Sequence, residues 1–242
     1  MITSTSSSQV KHVVNLQKKA KLRKEEKQFV VEGVKMVSEA PADRLVKVYV
    51  SETFKADNEE FLERMNYDSI GKDVLEIVTD NVFMRMADTQ TPQGIMAVVR
   101  MTDTDLEGIL SDKHNPLLLI IENLQDPGNL GTIVRMAEGA GVTGIIMSSN
   151  TVDIYNPKTI RSTMGSLYRV PVIYVDDICE AADVCKSKGV TVYAAHLKGT
   201  DNYNKKDYTN PTAFMIGNEG NGLTDKLADK ADEYVRIPMQ GE

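Results

Sequence analysis

Residues 214–242 read FMIGNEGNGLTDKLADKADEYVRIPMQGE, and the punctuation of this stretch decides the fold class. A short apolar segment, Phe214–Ile216, runs into three closely spaced glycines, Gly217, Gly220 and Gly222. An amphipathic segment follows, with Leu223, Leu227 and Ala231 on one face, and then a second short strand, Tyr234–Met239. Strand, glycine loop, helix, strand is the local form of an α/β ligand site. Glycines let the backbone approach a ligand, and helix-start N–H groups point into the same space.

Upstream the same alternation repeats. LLLII at 117–121 is a continuous apolar run of the kind buried on both faces of a parallel sheet. It leads through the loop Glu122–Gly131 into a helix over Thr132–Ala140. Strands at 144–149, 170–175 and 190–195 are separated by helices over Pro157–Tyr168 and Ile178–Ser187. Repeated βα units with short connections imply a mainly parallel sheet with ligands at the carboxyl ends of its strands.

Residues 1–100 read differently. A basic helical stretch over 8–27 precedes short strands at 29–32, 45–51, 74–78 and 94–100, with helical segments at 33–40, 58–66 and 81–87 between them, which suits a small α/β domain of its own. The acidic segment 101–115, closed by Pro116, reads as a linker containing some helix. The expected division is therefore 1–100, a linker at 101–115, and 116–242.

Composition removes several classes. Apolar residues make up 41% and charged residues 26% of the 242, as in ordinary globular proteins. No run of about 18 apolar residues marks a membrane span, and the first residues, MITSTSSSQVKHVV, lack the apolar core of a secretory signal. Cys179 and Cys185 match neither a disulfide framework nor a zinc spacing, so a reducing cytoplasm and no metal are expected. The net charge of −7 argues against nucleic acid until its distribution is considered. Lys11, Lys18, Lys19, Lys21, Arg23, Lys24 and Lys27 crowd one segment, and phosphate binding needs only a local patch. A solvated helix face is the plainer reading of the same run.

Two nucleotide signatures fail on context. Gly139–Gly144 matches G-x-G-x-x-G but follows a helix and precedes a strand, the reverse of the dinucleotide arrangement, so its glycines read as a helix C-cap and a tight turn. Gly217 and Gly222 have phosphate-loop spacing, but Leu223 stands where the lysine belongs. Asp126-Pro127-Gly128-Asn129 has strong turn chemistry, and Arg135, six residues past Asn129, projects a guanidinium toward the strand-end crevice, suited to a phosphate or other anion.

These residues also carry a resemblance. The spacing from Asn123 through Asp126-Pro127, Asn129 and Gly131 to Arg135, the segment TIRSTMGSLYRVPV at 159–172, and MIGNEGNGLTDKLADKADEYVRIPMQG at 215–241 resemble the three motifs of the SpoU/TrmH family of RNA 2′-O-ribose methyltransferases, within the SPOUT superfamily. Gln28–Gly33 (QFVVEG) is similar to part of that family's L30e-like substrate-binding domain. The resemblance implies an α/β chain with a C-terminal trefoil-knotted SPOUT domain and S-adenosylmethionine held in loops around the knot.

It assigns the cofactor to Ala195, Leu197, Gly217, Asn218, Glu219, Gly222, Ile237 and Met239. Arg135 is the expected catalytic arginine, with Asn129 and Glu219 holding the site. Lys11, Lys18, Lys19, Lys21, Arg23 and Lys24 are expected to contact RNA, ribosomal in kind, with Arg161 and Arg169 as further candidates. A homodimer is expected, with no membrane and no metal partner, since methyl transfer from a sulfonium needs alignment and partial deprotonation of a hydroxyl rather than a metal.

Family members continue past the IPM-x-G segment with Ser-Leu-Asn and a final helix. Here the sequence stops at Glu242, so that helix is expected to be missing and cofactor binding weakened. The competing reading is a non-catalytic RNA-binding protein on the same scaffold. A third, an unrelated nucleotide-binding α/β enzyme, needs a lysine or acidic ribose ligand that the sequence lacks.

Overall fold

The computed structural model describes residues 1–65, 74–111 and 115–238. In chain order these form α1 (Ser8–Lys18), α2 (Ala20–Glu26), β1 (Gln28–Glu32), α3 (Val34–Ser38), β2 (Leu45–Ser51), α4 (Glu52–Asp57), α5 (Glu59–Met65), β3 (Leu75–Val78), α6 (Asp80–Met86) and β4 (Ile95–Arg100). There follow α7 (Leu106–Ser111), β5 (Leu117–Ile121), α8 (Pro127–Gly139), β6 (Gly144–Ser148), α9 (Pro157–Thr163), β7 (Val172–Val175), α10 (Ile178–Ser187), β8 (Thr191–Ala195), β9 (Asp201–Asn202), β10 (Thr212–Ile216), α11 (Asp225–Ala228) and β11 (Glu233–Arg236). The chain makes two compact units, Met1–Thr102 with Asp153–Tyr168, and Asp103–Val152 with Arg169–Glu242.

The first unit is built on a four-stranded sheet in the order β1-β4-β2-β3. β4 runs antiparallel to both neighbours, and β2 and β3 are parallel. Side chains alternate across a strand, and the sheet is covered on both faces accordingly. Phe29, Val31, Ile95, Ala97 and Val99 pack on one face with Ile160 and Leu167. Val30, Met96 and Val98 pack on the other with Val10, Val13 and Leu16 of α1 and Phe83 and Met86 of α6.

Residues 153–168, drawn from the middle of the sequence, complete this core. Tyr155 lies with its ring centroid 4.7 Å from that of Phe29, and the Tyr168 hydroxyl donates to the Met36 carbonyl at 2.9 Å. Arg23, expected among the RNA contacts, is a correction. It is 3% exposed, donates to the Leu16 and Gln17 carbonyls at 2.6 and 2.9 Å, and its Nε reaches Asp153 at 3.0 Å. The guanidinium closes the C-terminus of α1, whose last carbonyls lack intrahelical donors, and is unavailable to phosphate.

The second unit is a seven-stranded sheet in the order β7-β6-β5-β10-β8-β11-β9, parallel at every pairing. Its central residues, Leu118, Ile120, Ile146, Val192, Ala213 and Met215, pack with Ala181, Ala182 and Cys185 of α10. Within the stretch read as a linker, α7 contributes Ile109, 4% exposed, to the same core. Leu223, Leu227 and Ala231 do face one core, although α11 itself is a single turn.

Several boundaries moved for identifiable reasons. α8 begins five residues before the expected Thr132, because the Asp126 carboxylate caps the Asn129 N–H at 2.8 Å and Pro127 takes the first helical position. The turn chemistry of Asp-Pro-Gly-Asn is thus a helix start. α9 stops at Thr163 rather than Tyr168, because Met164 turns left-handed at φ 54° and Gly165 follows at φ 98°. Gly141, at φ 75°, closes the end of α8 as a C-cap should. Among the described residues no helix is long and apolar enough to cross a membrane.

Candidate functional site

Within the second unit, parallel pairing puts the ends of β5, β10, β8 and β11 on one edge of the sheet, with Ile121 beside Ile216, Met215 beside Ala194, and Ala195 beside Val235. The loops after these strands carry the expected cofactor residues. Ala195 ends β8 and Leu197 follows it, Gly217, Asn218 and Gly222 follow β10, and Ile237 follows β11; Met239 lies outside the described residues.

The glycine loop is closed on itself. Asn218 and Gly222 exchange reciprocal backbone hydrogen bonds of 2.9 Å, and the Asn218 carboxamide oxygen accepts from the N–H groups of Gly220 and Asn221 at 3.0 Å each. A Cβ on Gly217 would lie 2.1 Å from the Gly222 carbonyl carbon and 2.2 Å from the Leu223 nitrogen, so position 217 admits only glycine without displacing backbone. Leu197 is 90% exposed and Ile237 55% exposed, placing apolar side chains in solvent at the ends of neighbouring strands.

Glu219 projects from this loop to the segment before α8. Its carboxylate accepts from the N–H groups of Asp126 at 2.8 Å and Gln125 at 3.2 Å, and from the Asn129 side-chain amide at 3.3 Å. Partial burial by itself raises the Glu219 carboxyl. The backbone N–H groups of Asp126, Glu219 and Gln125, with the Asn129 amide, outweigh it and hold the group below its ordinary value. Arg135 is not part of this set. It stands six residues beyond Asn129 on α8, exposed, and its side chain has no hydrogen bond or ion pair to a described residue.

Neighbouring residues brace the site. Gln125 donates to the carbonyls of Asn123 and Asn150 at 3.0 and 2.9 Å, and the Asn218 amide donates to the Asn123 carbonyl at 2.9 Å. Asn123 itself is left-handed at φ 54°, with its N–H on the Ser148 hydroxyl at 3.0 Å. Glu122, 6% exposed, accepts from Thr224. None of Glu122, Gln125, Ser148 or Thr224 stands out in the sequence. The one available signal was an acidic residue immediately after an apolar strand. His196 acts as a brace, with its ring stacked on Tyr234 at 5.0 Å and its Nδ1 accepting the Lys198 N–H at 3.1 Å.

Of the basic residues, Lys11, Lys18, Lys19, Lys21 and Lys24 are exposed on the first unit. Arg161 pairs with Asp88 at 2.6 Å, and Arg169 pairs with Glu138, so both have protein partners. Cys179 and Cys185 are buried free thiols, and burial pushes Cys185 up to about 11. Among the described residues no group of three or more His, Cys, Asp and Glu is arranged to hold a metal.

Comparison with known proteins follows the same division. Residues 116–242 match the sequence profile of the SpoU rRNA Methylase family, and residues 7–97 match that of the MRM3-like substrate binding domain. The chain is 33% identical over 172 residues to the 23S rRNA (guanosine(2553)-2'-O)-methyltransferase RlmP of Bacillus subtilis (strain 168), an alignment covering 69% of this chain and 64% of that protein. It is 31% identical over 242 residues to the uncharacterized tRNA/rRNA methyltransferase slr1673 of Synechocystis sp. (strain ATCC 27184 / PCC 6803 / Kazusa), covering 98% of this chain and 85% of that one. The crystal structure of an AdoMet-bound rRNA methyltransferase from Sinorhizobium meliloti superposes with a TM-score of 0.83 at 28% identity, over 99% of this chain and 89% of that chain. With the closed glycine loop at the strand ends, Glu219 bound to Asn129, and sequence and structural similarity across nearly its whole length, the chain belongs to the SpoU rRNA Methylase family.

Proposed function

We propose that the protein is an S-adenosylmethionine-dependent RNA 2′-O-ribose methyltransferase acting on ribosomal RNA. The observation carrying this reading is the Glu219 clamp, which joins the glycine loop to Asn129 and the start of α8. It ties the expected cofactor loop to the helix bearing the expected catalytic arginine, in a chain of this family. When bound, the cofactor supplies an electrophilic methyl group on a sulfonium.

The chain's own residues supply alignment and charge. Gly217, Asn218 and Gly222 offer a closed backbone cradle, with Ala195, Leu197 and Ile237 as its apolar surround. Asn129 and Glu219 hold the two loops in register. Arg135 pairs its guanidinium with the target phosphate and stabilises negative charge on the ribose oxygen as the hydroxyl proton leaves to solvent. The bound cofactor would supply the methyl carbon to that oxygen and keep the sulfur as a neutral thioether.

Lys11, Lys18, Lys19, Lys21 and Lys24 contact RNA phosphates on the first unit, which serves as the L30e-like substrate domain. The division 1–100, 101–115 and 116–242, the trefoil knot, a homodimer and a cytoplasmic location belong to the same proposal; the division rests on the changes of pattern along the sequence, the location on its cysteine usage, and the knot and the homodimer on family resemblance. This chain spans 64% of the curated relative from Bacillus subtilis. The test incubates the chain with isotopically labelled S-adenosylmethionine and ribosomal RNA and digests the RNA to nucleosides. A labelled 2′-O-methylnucleoside that disappears with Arg135→Ala supports the reading. Cofactor-independent RNA binding without methylation supports an RNA-binding protein on the same scaffold instead.

A further inference from the structure

We propose that Glu122 is the positioning residue of the glycine loop, gripping both ends of residues 217–223 and holding them in the shape that receives the cofactor. Its backbone N–H donates to the carbonyl of Ile216 at 2.8 Å, immediately before the loop. Its side-chain carboxylate accepts the Thr224 N–H at 2.7 Å and the Thr224 hydroxyl at 2.8 Å, immediately after the loop. The loop therefore leaves and returns to one residue.

Three features separate this contact from ordinary core packing. Glu122 is 6% exposed, and a buried carboxylate is costly unless its oxygens are satisfied. It has no ion pair among the described residues, so the two Thr224 donors carry that satisfaction. Thr224 passes the constraint on, since its hydroxyl oxygen also accepts the Leu227 N–H at 3.3 Å and caps α11. A neutral side chain would fill the space at lower desolvation cost, but the carboxylate gives each Thr224 donor its own charged oxygen. This grip is separate from the exposed Glu219 clamp, which holds the tip of the loop rather than its ends.

The proposal rests on the reading that this loop receives S-adenosylmethionine, and the experiment separates the two. In Glu122→Gln, at nearly constant volume, the two charge-assisted bonds become neutral ones, and the Thr224 hydroxyl facing the amide nitrogen has to turn from donor to acceptor. Amide hydrogen exchange is read first in the ligand-free full chain. Residues 218–224 should exchange at least about ten-fold faster in the variant, with core strands β5 and β10 unchanged. Calorimetry with S-adenosylhomocysteine should then show binding weakened at least about ten-fold with RNA affinity unaltered, which a general loss of structure would not produce.

Thr224→Val, which keeps the carboxylate and removes one donor, provides the second variant should Glu122→Gln not fold. It should show the same two effects, and the two changes should combine less than additively, with the α11 cap that Thr224→Val also removes as the remaining loss. Unchanged exchange at 218–224 in the folded variants, or unchanged ligand affinity beside a wild-type chain that binds, overturns the proposal. A wild-type chain that binds no S-adenosylhomocysteine defeats the cofactor reading, while the exchange data still decide whether Glu122 holds the loop.

Discussion

The Asp126 backbone N–H donates to the Glu219 carboxylate at 2.8 Å across 93 residues of sequence. The same Asp126 caps the first turn of α8 through its side chain. One residue thus starts the helix that carries Arg135 and anchors the glycine loop. Glu219→Gln removes the charge that makes these bonds strong and puts an amide donor against N–H donors. Methyl transfer should fall at least about ten-fold from misplacement of the loop, with the melting temperature little changed because the group is on the surface. Steady-state rates and a thermal melt check this, and full activity would remove the clamp from the account.

The depressed Glu219 carboxyl gives the clamp a pH dependence of definite sign. A carboxylate whose folded pKa lies below its unfolded value stabilises the folded form above that unfolded value. It loses this contribution as pH falls through the folded one. The clamp should therefore be unchanged from neutral pH down to the ordinary glutamate range near 4.5 and release only below it. Carbon-detected NMR titration of the Glu219 side chain should return a midpoint below 4.5, and Glu219→Gln should abolish the transition.

Gly217→Ala sets a methyl group 2.1 Å from the Gly222 carbonyl carbon, and the obstruction is backbone rather than a movable side-chain end. The loop has to open. Overpacking of this kind costs about 1–3 kcal/mol, read by urea denaturation. Hydrogen exchange at Asn218 and Gly222, which share the reciprocal bonds, should accelerate in step.

Arg23 and Asp153 form an ion pair whose side chains are 4% and 19% exposed. Arg23→Ala leaves Asp153 without its cation in a largely enclosed site and strips the C-terminal carbonyls of α1 of their donor. Removing one partner of a buried pair costs about 3–5 kcal/mol, so the variant should unfold at markedly lower denaturant. The double change Arg23→Met with Asp153→Asn should recover part of the loss.

For the exposed lysines the expected signature is ionic. Changing Lys18, Lys19 and Lys21 together to glutamine should weaken RNA binding and lower the slope of log affinity against log salt by about 2–3, with circular dichroism unchanged. A constant slope would mean that these lysines only solvate the helix ends. Arg23→Lys, by contrast, should leave the slope alone.

Much of the fold is legible in the sequence because it is written locally. Residues 29–31 and 95–99 are apolar at every position, as is LLLII at 117–121, and a strand whose side chains alternate between two faces then demands cover on both. The glycines of the 217–222 loop can be found by spacing, since their function is backbone shape at one place in the chain. What tertiary structure alone decides involves partners distant in sequence. Arg23 looks like one more cation in a basic run until Asp153, 130 residues away, buries it. Asp-Pro-Gly-Asn fits a turn or a helix start equally well, and the loop it meets, through Glu219, accompanies the choice of helix. Residues 153–168 carry no local sign that they complete the core of the first unit. Glu122 is an ordinary acid at the end of a strand until Thr224 closes on it. Local pattern determines which residues seek burial and where the backbone can turn, whereas the partner of a buried charge is set by which distant segments the sheet order brings together.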